Sequence, residues 1–277
     1  LAGSLGTPTP DAEGLVYLDV AGLEPGWHEI ALSAVRGDEQ AQHFGSLGVC
    51  SYPAIESFDS APDPAQWTIY GDAFWEPSGW LEITGNQQSR GGHIFKTDRK
   101  INPGNFTVSF DIATGGGING GADGFALSVW DAPNPTELKT IIDKTKGGGC
   151  LGYGLSGDCG SEEYKGFHIE FDTWENIGNP NQDPTSVNHI GILLNGDAAN
   201  HYLWAEVPSL EDLVWRHVQV EIDASYVTVT LDEDVIIQGD ISDFTFEGGY
   251  IGVSGSTGWA SNYHRFDNLW LEHCRVP

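Results

Sequence analysis

The sequence predicts an all-β protein, an antiparallel sandwich, on three observations. First, Gly 37 and Pro 14 scatter turn signals through 277 residues. Second, few runs favour helix. Third, short apolar or alternating runs recur between the turns without crossover helices, the pattern of antiparallel rather than parallel sheets. The stretch "FTVSFDIA" (106–113) is the clearest case. Phe106, Val108, Phe110 and Ile112 fall two apart and so share one face. The runs "GFALSVW" (124–130), "GFHIEFDTW" (166–174), "NHIGILLN" (188–195), "RHVQVEID" (216–223), "YVTVTLD" (226–232), "GYIGVSG" (249–255) and "RFDNLWLEH" (265–273) read as further strands. "VPSLEDLVW" (207–215) reads as a short helical turn or a loop. Hydrophobic residues at 39% supply enough side chains for a packed core.

Residues 1–49 differ from the rest. "LVYLDV" (15–20) and "HEIALSAV" (28–35) read as strands joined by "GLEPGW". Two or three strands bury little by themselves. This N-terminal β segment has the look of the last strands of an immunoglobulin- or fibronectin-like repeat. It either packs on the main domain, 50–277, or pairs with another copy of the chain.

The formal net charge is −28, from 12 basic and 40 acidic side chains. Such a surface repels nucleic acid and anionic lipid, which excludes both as partners, and it attracts cations. No run approaches the ~18 apolar residues of a membrane span. The sequence starts at Leu1 without Met, as expected if a leader has been removed. The four cysteines lack a CxxC pair, which favours disulfides over zinc and so an oxidising, extracellular or cell-surface setting. The expected pairs are Cys150 with Cys159, across a short Gly-rich loop, and Cys50 with Cys274, joining the two ends of one domain.

The segment "HIEFDTWENIGNPNQDPTSVNHIGI" (168–192) carries the chemistry. Glu170 and Asp172 share one strand face, with Ile169 and Phe171 on the other. Two adjacent carboxylates repel and resist burial, so a metal ion, a held proton or solvent must compensate. Asn176 and Asp183 in the following loop add oxygen donors suited to calcium. His189, opening the next strand, adds an imidazole suited to a transition ion such as manganese or zinc. A solvated acidic strand with a satisfied histidine nearby fits the spacing equally well.

Four stretches in order resemble the legume-type (L-type) lectins of the concanavalin-A-like superfamily. They are "GADGFALSVWDAP" (121–133), "GGGCLGYG" (147–154), the segment "EFDTWEN…DP…HIGI" and "GYIGVSGSTG" (249–258). The resemblance spans roughly Ile55 to Leu271, and "NYHRFDNLWL" (262–271) gives it a bacterial, extracellular character. It implies a jelly-roll sandwich that binds carbohydrate without catalysis. It further implies that Asp172 bridges two ions. Asn176, Asp183 and the Trp174 carbonyl complete a calcium site, and Glu170, Asp183 and His189 hold a second ion, Mn2+ or another transition metal. On the same resemblance, Asp123, after a cis Ala122–Asp123 peptide, accepts from sugar hydroxyls and Asn176 donates its amide. A backbone N–H of the Gly run, Gly148 or Gly149, is the third polar contact. Trp174 stacks on the sugar, and Trp259 borders the site. The loop between Asn176 and Asp183 is longer than the family's, so Asn179 or Asn181 is an alternative ligand.

The superfamily's β-glucanases carry E-x-D-x-x-E, matched here by Glu170, Asp172 and Glu175. Retaining hydrolysis needs two carboxyls facing one cleft. Glu175 lies an odd number of residues from Glu170, and the glucanase reading gives Asn176, Asp183 and His189 no role. Trp67, Trp75, Trp80, Trp130, Trp204 and Trp215 are expected in core or sheet-face packing. The resulting expectation is a calcium-dependent glycan-binding or adhesin module. The alternative is a structural subunit of an extracellular filament or surface layer, assembled through residues 1–49.

Overall fold

The computed structural model describes residues 26–36, 39–49, 54–101, 105–155, 159–160, 164–176, 183–241 and 248–273. In chain order the strands are β1 (Gly26–Arg36), β2 (Glu39–Val49), β3 (Ala54–Glu56), β4 (Trp67–Gly71), β5 (Phe74–Glu76), β6 (Trp80–Thr84), β7 (Gly91–Lys96), β8 (Asn105–Ile118) and β9 (Gly124–Trp130). Helix α1 (Pro135–Ile142) follows. Then come β10 (Gly166–Asp172), β11 (His189–Leu194), β12 (Leu203–Glu206), β13 (Arg216–Asp223), β14 (Tyr226–Leu231), β15 (Asp234–Asp240), β16 (Tyr250–Ser256) and β17 (Ser261–His273).

The chain divides into two units. In the smaller, β1 and β2 form an antiparallel hairpin in register from Gly26–Val49 to Arg36–Glu39, with Ala31 opposite Phe44 and both exposed. The expected strand 15–20 and the cysteines Cys50 and Cys274 lie outside the described residues.

The larger unit, Pro53–His273, is an antiparallel jelly-roll sandwich. One sheet runs β12-β11-β10-β9-β16-β7-β4, and the other runs β15-β14-β13-β8-β17-β6-β5, with β3 also on β17. Strands distant in sequence are neighbours, as when β9 sits between β10 and β16. The pleat's two-residue period sets the core: Phe106, Val108, Phe110 and Ile112 of β8 face Phe167, Ile169 and Phe171 of β10. Phe110 stacks on Phe266 with ring centroids 5.2 Å apart and meets Phe171 edge-on at 6.0 Å. Burying each such ring contributes about 1.5–3 kcal/mol.

A second apolar layer covers the outer face of the seven-stranded sheet. Phe95, Ala126 and Trp130 on that face pack with Leu138 and Ile142 of α1 and with Cys150, Leu151 and Tyr153. Helix α1 was not anticipated. Its start is nonetheless written in "NPTE": the Asn134 side chain accepts from the N–H groups of Thr136 and Glu137, both at 3.0 Å, and Pro135 opens the first turn. The helix needs the sheet beneath it, because eight residues are too few to hold a helix alone. The Cys150–Cys159 disulfide is present in this covering segment.

The covering layer has one consequence for function. Strands β9, β10, β11 and β16 are buried along their whole length. Their polar side chains are enclosed instead of solvated. Residues 207–215 form a loop, the second of the two expected forms. Trp67 and Trp130 lie in the core and Trp75 packs against it, but Trp204 and Trp215 are 43% and 40% exposed. Trp204 lies on the short edge strand β12, and Trp215 lies just before β13, edge-on to Trp80 with ring centroids 6.2 Å apart.

Candidate metal and carbohydrate site

Register builds the site. Asp172 is paired across β10–β11 with His189, and Glu170 with Gly191. Glu170 and Asp172 therefore leave the sheet on one side, and His189 leaves beside Asp172. Glu170, Asp172 and His189 are each at most 2% exposed. A solvated acidic strand is thus not what forms here.

The loop after β10 turns back on the strand. The Trp174 N–H donates to Asp172 Oδ1 at 2.8 Å, and the Asn176 N–H donates to Asp183 Oδ2 at 2.5 Å. The Asn176 amide nitrogen donates to the Trp174 carbonyl at 3.3 Å. Asp172, Asp183 and His189 each bring one ligand atom within 4.8 Å of the others. Burial pushes the Asp172 carboxyl well above the usual carboxylate range, and the charges of Asp183 and Glu170 push it the same way. Asp183 rises to about 6, chiefly from burial. Carboxylates crowded out of water with a backbone carbonyl and an amide beside them form an oxygen donor set that fits calcium. Asn179 and Asn181, the alternative ligands, lie outside the described residues.

Deeper in the strand, Glu170 Oε1 faces two imidazoles. His201 Nε2 lies 2.5 Å from it and His189 Nε2 3.3 Å. The two Nε2 atoms are 3.2 Å apart. Tyr153 donates its hydroxyl to Glu170 Oε2 at 2.7 Å. Burial alone raises the Glu170 carboxyl. His201 and His189 outweigh that and hold it below the usual range. Nitrogen and carboxylate donors together fit a transition ion.

The expected sugar-contacting residues collect at the mouth of this loop. The Ala122–Asp123 peptide is cis. The Asp123 N–H donates to the Ser256 carbonyl at 3.1 Å, and its own carbonyl accepts from the Thr173 N–H at 3.0 Å. Asp123 is thereby tied to β16 on one side and to the end of β10 on the other. Asp123 as a residue is 5% exposed, and its Oδ2 has no hydrogen-bond partner among the described residues. Burial raises it to about 7, the Gly258 backbone opposes the rise, and Asp183 adds to it.

Ser256 also donates its hydroxyl to the Gly148 carbonyl at 2.8 Å, so one residue anchors both Asp123 and the glycine run. Gly148 has φ +66 with open space around it, a conformation that disfavours any side chain. A β-carbon on Gly149 would sit 2.8 Å from the Asn176 amide nitrogen. Trp174 is half-buried. Trp259 is 70% exposed, and its carbonyl accepts from the side chains of Asn119 and Gln88. Asn262 and His264, which follow Trp259 on the chain, are fully enclosed: Asn262 donates to Glu211 at 2.7 Å and the His264 ring meets the Thr84 hydroxyl at 2.6 Å.

The glucanase arrangement does not assemble. Both Glu170 oxygens are engaged by His189, His201 and Tyr153, and Glu175 lies past the end of β10, exposed. Sequence reasoning missed His201, Tyr153 and Ser256. His201 lies 12 positions past His189 in a stretch with no regular period, so spacing offered no signal for it.

A family model described as the Legume lectin domain matches residues 54–268. An L-type lectin-domain containing receptor kinase IV.3 from Arabidopsis thaliana is 26% identical over 227 residues, 73% of this chain. The chain spans 32% of that relative's length. Among solved structures, a lectin from Bauhinia forficata in complex with GalNAc shares 18% identity at TM-score 0.65, over 81% of this chain and 99% of that one. Lectin II from Ulex europaeus shares 18% at TM-score 0.67, over 82% and 100%. The exoplasmic/lumenal domain of VIP36, bound to Ca2+ and Man3GlcNAc, shares 14% at TM-score 0.59, over 80% and 89%. These structures share the fold, and the family match covers most of the sequence: the chain belongs to the legume lectin domain family.

Proposed function

We propose that this chain is a calcium-dependent, non-catalytic carbohydrate-binding module acting at or outside the cell surface. The observation that carries the reading is Asp123. Its buried Oδ2 has no hydrogen-bond partner among the described residues, and its backbone is tied to Thr173, between Asp172 at the end of β10 and the loop that carries Asn176 and Asp183. An unpartnered buried acceptor is costly unless a ligand satisfies it. A pair of sugar hydroxyls is a fitting donor. Asn176 packs against Gly149, and Ser256 bonds to both Asp123 and Gly148, which makes the Asn176 amide and the glycine backbone the further polar contacts. Trp174 and exposed Trp259 offer aromatic faces for the apolar side of a pyranose.

Asp172, Asp183, Asn176 and the Trp174 carbonyl would hold calcium, and Glu170 and His189 would hold a second ion. The ions supply positive charge that lets crowded carboxylates remain buried and ionised. The chain's own residues do the recognition: Asp123 accepts, Asn176 donates, and the glycine run leaves room for the ligand. The Bauhinia lectin is bound to GalNAc and VIP36 to Man3GlcNAc, which supports a hexose-bearing glycan as ligand class. The Cys150–Cys159 disulfide supports an oxidising compartment.

Glycan-array binding tests the reading. Asp123→Ala should abolish binding with the circular-dichroism spectrum unchanged. Wild-type affinity in that variant would remove the proposed site. A second reading, assembly through the N-terminal segment, has one observation behind it. The β1–β2 sheet has no third strand among the described residues, and Phe44 is 72% exposed. Size-exclusion chromatography before and after deletion of 1–49 separates it: loss of assembly with intact folding favours the polymer.

A further inference from the structure

The second-ion position holds one more donor than the sequence pattern supplied. We infer that His201 is a direct metal ligand, which with Glu170 and His189 makes a two-histidine site that selects a late first-row divalent ion, zinc or cobalt, over manganese. The inference rests on the two-ion reading above for the shared Asp172 and Asp183.

Three distances carry it. Glu170 Oε1, His189 Nε2 and His201 Nε2 are separated by 2.5, 3.2 and 3.3 Å. An ion about 2.1 Å from each of three donors spaces them about 3.0 Å apart in octahedral geometry and about 3.4 Å apart in tetrahedral geometry. All three side chains are at least nine-tenths buried, with exposures of 2%, 1% and 5%.

The outer hydrogen bonds point the same way. His189 Nδ1 faces the Val187 carbonyl at 3.4 Å, and the Ala199 backbone engages the His201 ring. When both rings are neutral and carry their hydrogen on the outer nitrogen, two Nε2 lone pairs turn toward the carboxylate oxygen. A cation then takes the place between the three donor atoms that a hydrogen on His201 fills in the ion-free protein. Backbone and Tyr153 contacts that fix ligand orientation are the usual outer layer of a metal site.

The chain also makes room for this arrangement. A β-carbon on Gly191 would lie 2.8 Å from His201 Cδ2 and 2.9 Å from Glu170 Oε1. A side chain at 191 would force the His201 ring or the Glu170 carboxylate to shift. Two imidazoles favour zinc, cobalt or nickel, whereas a mainly carboxylate and water set suits manganese.

The test uses the full chain, stripped with chelator and reloaded with calcium, then titrated with Co2+, Zn2+ or Mn2+ alone. Metal content, cobalt absorption and pulsed electron paramagnetic resonance are read. The expected result is one cobalt or zinc ion per chain, with Zn2+ displacing Mn2+. Coupling to two imidazole nitrogens is expected in the wild-type protein loaded with Mn2+. His201→Gln should lower Zn2+ affinity at least tenfold, the scale at which even outer contacts act. One of the two nitrogen couplings should vanish while calcium content stays constant. Gly191→Ala should weaken Zn2+ in the same direction.

A single nitrogen coupling in the wild type, or unchanged Zn2+ affinity in folded His201→Gln, overturns the inference. The wild-type nitrogen count stands even if the variants fail to fold. Calcium and glycan binding with only one nitrogen at the second ion defeats this inference alone. Failure of calcium and glycan binding together defeats the sugar-binding reading.

Discussion

The amide of Asn176 fills the space that a side chain on Gly149 would need: a β-carbon there would lie 2.8 Å from Nδ2 and 3.0 Å from Cγ. Two segments far apart in sequence are interlocked at the mouth of the site. Gly149→Ala should push the Asn176 amide away, because contacts that short force a shift. Glycan affinity is expected to fall at least tenfold with little change in thermal stability, since the residue lies at the rim. Isothermal titration with a bound glycan checks this. Unchanged affinity would show that Asn176 does not touch the sugar.

Chelation should destabilise the protein. Asp172 and Asp183 are both raised by burial and crowding, so removing a cation leaves their repulsion uncompensated. Calcium at 100 times its Kd stabilises the folded state by about 2.7 kcal/mol. For a domain of this size that is a Tm shift of roughly 5–10 °C. Scanning calorimetry in chelator and then in excess calcium reads it directly, and identical melting curves would argue against an ion at the loop.

The Cys150–Cys159 bridge closes a short loop under the glycine run. Replacing both cysteines with serine should cost about 2–3 kcal/mol through the freer unfolded chain. It should also weaken glycan binding, because Gly148 and Gly149 lose their support on one side. Denaturant unfolding measures the first effect, and a binding titration of the folded variant measures the second.

Acid should destabilise the calcium-loaded protein through its buried histidines. Burial lowers His93 from 6.5 to about 4, and lowers His168 and His264 to about 3. Between those values and 6.5 the unfolded chain binds protons that the folded chain does not, so stability rises with pH there. It is complete above 6.5 and drains away as the pH falls toward 4. His93 alone accounts for about 3 kcal/mol. His93→Gln, whose amide can still donate to the Gly152 carbonyl that His93 contacts at 2.7 Å, should flatten the profile. The comparison belongs in excess calcium. In chelated protein the raised Asp172 and Asp183 bind protons more readily when folded, which contributes with the opposite sign.

The sequence by itself determined whatever depends on neighbours along the chain. The two-residue period of the pleat placed Phe106, Val108, Phe110 and Ile112 in the core and set Glu170 beside Asp172 on the other side of β10. Asp172, Asn176, Asp183 and His189 were legible as one cluster because a single hairpin carries them all. Tertiary structure alone decided the rest. The burial of Glu170 depends on the layer that holds Tyr153, whose hydroxyl donates to it, and no strand period encodes that layer. The meeting of Asp123, Gly149 and Asn176 depends on β9 lying between β10 and β16 and on Ser256 bonding to two segments. His201 reaches Glu170 from an irregular stretch because Gly191 leaves a gap in β11. Periodicity constrains which face a side chain takes, but only register and packing fix what stands opposite it.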